Sequence, residues 1–130
     1  MLPDQKSLGQ KTILIVDDDE PILRVLQTVL SLEERYRIVT ARDGRQAIDM
    51  AEKELPDLIL MDVMMPNVDG LEACRTIRAN PLTKHIKIVM VSAMAQPIDA
   101  DRALCAGATD YVTKPFLPST LLLNIERWLQ

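Results

Sequence analysis

Aliphatic runs and patterns of helical period alternate five times along this chain, and that alternation restricts its fold more than any other feature. The strand candidates are residues 12–16, 37–41, 58–61, 86–91 and 110–113. The first, third and fourth are nearly unbroken aliphatic runs, as expected of parallel strands covered by helices on both faces. Between the first two, Ile22, Val25, Leu26, Val29 and Leu30 recur at helical spacing and predict a buried stripe. Pro21 suits the first position of that helix, with Asp19 or Glu20 as its cap. A second helix carries Ala47, Ile48 and Ala51 and stops near Pro56. A third follows the turn signal Asn67-Val68-Asp69-Gly70 and ends by Asn80-Pro81, and a short fourth starts near Pro97. The last runs from Pro118 to Trp128, with Leu121, Leu122, Ile125, Trp128 and Leu129 on its inner face. Alternating units of this kind give an α/β fold: a doubly wound parallel sheet of five strands, with five helices and right-handed crossovers.

The strand ends carry the chemistry. Ile13-Leu14-Ile15-Val16 leads into Asp17-Asp18-Asp19, and Leu58-Ile59-Leu60-Met61 leads into Asp62. Parallel strands bring these acids to one edge of the sheet, where unit charges ~4 Å apart repel by about 4 kcal/mol at an effective dielectric of 20. A fold retains such crowding where a cation or a chemical task relieves it. Ser92 after the fourth strand and Lys114 after the fifth reach the same rim, the edge at which open α/β sheets bind ligands. No glycine-rich phosphate loop follows the first strand, which argues against a nucleotide. Carboxylates with few other ligands suit Mg²⁺, which keeps several waters and accepts one or two carboxylates plus a phosphate oxygen. A carboxylate is also a nucleophile toward phosphorus, and phosphoryl transfer asks a protein mainly for positioning and charge neutralisation. The Lys114 ammonium and the Ser92 hydroxyl suit that task. The plain alternative is that Asp18, Asp19 and Glu20 only cap the first helix.

Five motifs carry a resemblance: Asp17-Asp18; Asp62 with Met65-Pro66; Asp69-Gly70; Ser92-Ala93; and Lys114-Pro115-Phe116. In this order and spacing, over residues 12–129, the chain resembles a receiver domain of the two-component response regulators, similar to the chemotaxis member. The resemblance implies a flavodoxin-like strand order of 2-1-3-4-5. It makes Asp62 the phosphoacceptor, and Asp17, Asp18, Asp62 and the backbone carbonyl of Met64 the holders of Mg²⁺, Asp17 directly or through water. Ser92 becomes a switch hydroxyl, Tyr111 its coupled aromatic and Lys114 the partner of the phosphoryl group, with a cis peptide bond before Pro115. A half-buried strand tyrosine needs no switch to explain it, so Tyr111 keeps that second reading. Met64 and Met94 lie two residues beyond Asp62 and Ser92, positions that in similar domains flank the path of an attacking water, and imply slow hydrolysis.

The partners implied are a sensor histidine kinase or phosphotransfer protein, an output protein or domain, and a phosphorylation-dependent second copy. They would be reached through the face of the fourth helix, fifth strand and fifth helix. No ATP-binding element or phosphodonor histidine motif occurs, so the kinase acts in trans or on another part of a longer protein. The domain would assist its own phosphorylation and dephosphorylation without being an enzyme. A haloacid-dehalogenase-like phosphatase, the rival enzyme class, places a second aspartate two residues after its nucleophile, where this chain has Met64. A flavin-binding module on the same fold is argued against by the acid pocket.

Composition sets the remaining bounds. At 130 residues the chain fits one domain, read as residues 11–130 behind a loose, disordered tail at 1–10 that lacks the apolar stretch of a signal peptide. A net charge of −4 opposes direct nucleic-acid binding, which needs a basic face. No apolar run approaches the ~20 residues of a membrane span. The only cysteines, Cys74 and Cys105, fall in expected helices and outside metal-ligand spacing, consistent with reduced thiols in a cytoplasmic protein. The single histidine, His85, reads as a solvated surface residue. A stand-alone receiver and a fragment of a larger regulator both remain open.

Overall fold

The computed structural model of the protein describes residues 9–130. Its ten elements alternate strictly: β1 (Lys11–Val16), α1 (Glu20–Ser31), β2 (Tyr36–Ala41), α2 (Gly44–Glu54), β3 (Leu58–Met61), α3 (Gly70–Ala79), β4 (Lys87–Ser92), α4 (Pro97–Cys105), β5 (Asp110–Thr113) and α5 (Pro118–Trp128). All strand pairs are parallel, in the order β2-β1-β3-β4-β5. The tail expected at residues 1–10 lies, through residue 8, outside the described residues. Gln10 is tied down, its side-chain amide donating to the Glu34 carbonyl at 2.9 Å.

The period of two along the strands divides the core into two layers. Leu14, Val16, Ile59, Met61, Ile88 and Met90 face α2, α3 and α4, which meet them largely with small residues: Ala47, Ala51, Ala73, Cys74 and Ala103. Ile13, Ile15, Leu58, Leu60, Val89 and Val91 face α1 and α5, which supply Leu23, Leu26, Leu30, Leu121, Ile125 and Trp128. Small side chains let helices approach one face closely, and larger ones fill the other.

Several local expectations shift by a residue or more. The buried stripe of α1 is Leu23, Leu26 and Leu30, whereas Ile22 and Val29 are half-buried and Val25 is 55% exposed. Val25 and Ile22 turn instead toward an apolar trough of about 530 Å³ shared with Pro115, Phe116 and Pro118, at the seam between α1 and the start of α5. A helical period reads a stripe, and the sequence alone does not separate a stripe on a sheet from one beside a groove. Asp19, not Glu20, caps α1, its carboxylate accepting from the Ile22 N–H at 3.4 Å. β4 starts at Lys87 rather than Ile86 and includes Ser92 as its last residue, because Ser92 pairs with Thr113. On α5, Leu121, Ile125 and Trp128 are buried, while Leu122 and Leu129 are half-buried. Lys87 closes the last turn of that helix by donating its ammonium to the Trp128 carbonyl and, at 2.8 Å, to that of Gln130.

Two glycines allow the loop after β3 to sit where it does. The Gly44 N–H donates to the Val68 carbonyl at 3.1 Å, pinning that loop to the start of α2. A Cβ on Gly44 would lie 2.0 Å from the Val68 carbonyl oxygen, and one on Gly70 would lie 2.2 Å from that of Asp62. Backbone cannot yield as a flexible side chain does. Gly44→Ala therefore costs about 2–3 kcal/mol of folding stability through overpacking, to be read as a lowered urea midpoint; a midpoint equal to wild type contradicts this account of the loop.

Candidate functional site

Register brings the acids together. Val16 pairs with Met61 across the β1–β3 seam, so the next residues, Asp17 and Asp62, emerge side by side. The Asp62 N–H donates to the Val16 carbonyl at 3.0 Å, and the Asp17 N–H to the Ala41 carbonyl at 3.2 Å, fixing both backbones. This seam is where strand order reverses, since the chain winds from β1 outward to β2 on one side and through β3, β4 and β5 on the other. Carboxylate oxygens of Asp17, Asp18 and Asp62 lie within 4.8 Å of one another. Asp17 and Asp62 are sunk into the rim, with side chains 5% and 12% exposed, whereas Asp18 is exposed.

Lys114 answers this charge. Its ammonium donates to Asp17 Oδ2 at 2.7 Å and to Asp62 Oδ2 at 2.9 Å. Its own N–H donates to the Ser92 carbonyl at 2.7 Å, anchoring it to the end of β4, and the Lys114–Pro115 peptide bond that follows is cis. Burial alone pulls the ammonium below its ordinary value, but the hydrogen bonds and charges of Asp17 and Asp62 outweigh that and hold it raised. The remaining oxygens serve the backbone: Asp17 Oδ1 accepts from the Asp19 N–H at 2.9 Å and Asp62 Oδ1 from the Met64 N–H at 3.1 Å. Three carboxylates whose hard oxygen donors lie this close together form a set that fits Mg²⁺.

The other expected residues stand one step away. Ser92 is buried, and its hydroxyl accepts from the Met94 N–H at 3.2 Å rather than touching Asp62. The Tyr111 hydroxyl donates to the carbonyl of that same Met94. The backbone of Met94 is thus held on one side by Ser92 and on the other by Tyr111. Two contributors were not expected from the sequence. Besides Met94, whose role here lies in its backbone and so leaves no side-chain signal, there is Asp110 at the start of β5. Asp110 Oδ1 accepts from the Tyr111 N–H at 2.8 Å, and Oδ2 from the Trp128 indole N–H at 3.0 Å. An acid opening a strand beside an aromatic was the only available hint.

The profile of the Response regulator receiver domain family matches residues 13–126. The chain belongs to the response regulator receiver family. The receiver is 45% identical over 103 residues to the response regulator PleD of Caulobacter vibrioides, covering 79% of this chain and 22% of PleD. It is 44% identical over 120 residues to the alkaline phosphatase synthesis transcriptional regulatory protein PhoP of Bacillus subtilis, covering 92% of this chain and 49% of PhoP. It therefore spans about half the length, or less, of these curated relatives. Among solved structures it is similar to the receiver domain of a sensor histidine kinase from Pseudomonas aeruginosa, described with a magnesium ion coordinated in its active-site cleft. That match has a TM-score of 0.84 and 35% identity, and covers 92% of this chain and 98% of the other. The flavodoxin-like order expected from the resemblance is the observed one. Among the described residues no helix is long and apolar enough to cross a membrane.

Removing Lys114 leaves two sunken carboxylates without their shared cation. Lys114→Met should lower stability by about 2 kcal/mol in chelator at neutral pH, and Mg²⁺ should restore part of it, as read by urea denaturation with and without the ion. The raised lysine fixes the sign against pH. Its contribution is fully present below the ordinary lysine value of 10.5 and is lost as pH rises through the raised one. Wild type should therefore lose this advantage over the variant only in strong alkali, and a difference that vanishes near neutrality contradicts the assignment.

Proposed function

We propose that this receiver takes a phosphoryl group onto Asp62 from a sensor histidine kinase or phosphotransfer protein, and that the event alters its α4–β5–α5 face for an output partner. The observation that carries the reading is the Lys114 ammonium bridging two sunken carboxylates, Asp17 and Asp62, beside Asp18. In the step proposed, an oxygen of Asp62 bonds to phosphorus as the phosphorus–nitrogen bond to the donor's imidazole breaks. The bonding pair stays on that nitrogen, which takes up a proton, and Asp62 becomes an acyl phosphate. Asp17, Asp18, Asp62 and the Met64 carbonyl would hold Mg²⁺, whose chemistry when bound is neutralisation of the phosphoryl oxygens. The magnesium described in the Pseudomonas receiver supports that assignment. Lys114 holds a phosphoryl oxygen once Asp62 is phosphorylated. Receivers are signalling modules rather than enzymes with turnover, and Met64 at the place of a second aspartate agrees.

Phosphorylation adds about −1.5 to −2 charge and strong acceptor oxygens at Asp62. The Ser92 hydroxyl turns toward them and gives up its bond from the Met94 N–H. The Met94 peptide, now held only by Tyr111, moves with that ring toward α4. A shift from 1:99 to 99:1 needs about 5.5 kcal/mol, more than one hydrogen bond and one ion pair supply, so binding of an output protein, output domain or second copy completes the change. A net charge of −4 argues that such partners, not nucleic acid, meet this cytoplasmic domain of residues 11–130 directly.

Two experiments test this reading. Incubation with acetyl phosphate and Mg²⁺ should give a phosphate adduct by intact mass in wild type and none in Asp62→Asn; labelling of both, or of neither, rejects Asp62 as acceptor. Amide NMR shifts on phosphorylation should extend through α4, β5 and α5 in wild type and shrink there in Tyr111→Phe, which keeps the ring and removes the bond to Met94. Wild-type changes confined to the acid pocket would sink the switching face.

A further inference from the structure

We propose that Met64 is an oxidation site through which a two-electron oxidant of the hydrogen peroxide class shortens the life of the phosphoryl group on Asp62. The inference rests on the reading of Asp62 as acceptor and adds a second input to the same site. Six methionines fall among the described residues. Met61 and Met90 are fully buried, and Met50, Met65 and Met94 are half-buried. Met64 alone is exposed, at 64%. Thioether oxidation follows access, so Met64 reacts first.

Its location gives the reaction a consequence. The Met64 N–H donates to Asp62 Oδ1 at 3.1 Å, so the backbone of residue 64 lies against the acceptor carboxylate while its side chain stands in solvent beside it. The carboxylate itself is only 12% exposed, which narrows the approach open to water. A thioether there is a weak acceptor and offers that water nothing. In the oxidation the sulfur gives up two electrons and the peroxide O–O bond breaks. One oxygen bonds to sulfur and the other leaves as water. The product sulfoxide is polar and a strong acceptor. It holds a water beside the phosphoryl group and orients it for attack on phosphorus. A sulfoxide reductase reverses the change.

The test uses the full chain carrying Cys105→Ser, because Cys105 is an exposed thiol on α4 that peroxide would also attack, whereas Cys74 is buried. The protein is loaded with acetyl phosphate and Mg²⁺ and desalted, and loss of the adduct is timed by intact mass before and after peroxide treatment. Peptide mass mapping should find the sulfoxide at Met64 ahead of every other described methionine. Decay should speed up roughly three- to tenfold, the effect of about one hydrogen bond to the attacking water. In Met64→Leu, treated and untreated samples should decay alike, and untreated Met64→Gln should decay faster than untreated Met64→Leu. Acceleration that persists in Met64→Leu overturns the inference. So does a fully oxidised Met64 with unchanged decay, or earlier reaction of a half-buried methionine. A protein that takes up no phosphate before peroxide is added defeats the acceptor reading itself, and this inference with it; a labelled protein that ignores peroxide defeats this inference alone.

Discussion

Two carboxylates, Asp17 and Asp62, share one ammonium at the reversal point of a parallel sheet, and the arrangement of the rim follows from keeping that trio together. Asp17 and Asp62 are neighbours because Val16 and Met61 are paired, and no other register of β1 on β3 would deliver both acids to one spot. Lys114 comes from the far edge of the sheet, from a strand separated from β3 by β4. It reaches the acids because its backbone is bonded to Ser92 at the tip of β4. Sinking these groups reduces the screening that water would give, which strengthens attraction and repulsion alike. The site is therefore poised: with a cation it is satisfied, and a change of charge on Asp62 must be met by its neighbours.

The response proposed for phosphorylation would run through bonds that are already made. Ser92 and Tyr111 grip the two peptide groups that flank the Met94 Cα, one through the N–H and one through the carbonyl. This is a physical path between the acid pocket and the α4 side, built from two hydrogen bonds and requiring no long wire. The loop after β3 is restrained differently, by the Gly44–Val68 bond to α2.

Much of this was legible in the sequence because it depends on residue type at strand ends. Uninterrupted aliphatic runs marked β1, β3 and β4, and each delivered its acid or hydroxyl to the rim. Prolines located the starts of α1, α4 and α5 to within a residue, since their effects are local. What escaped depends on partners distant in sequence. Val25 has the spacing of a core residue yet faces a trough, because α5 and the segment before it stop short of covering it. Met94 matters here through its carbonyl and N–H, which no side-chain pattern advertises. Asp110 gains its meaning only when β5 and the end of α5 are side by side.

That last pairing has a practical side. Trp128 is the only tryptophan in the chain, 6% exposed, and its indole N–H rests on the carboxylate whose other oxygen holds the Tyr111 backbone. Indole emission responds to hydrogen bonding and to the field of a nearby anion. The protein thus carries its own optical gauge of the β5–α5 seam, readable in real time without a dye, a label or a substitution.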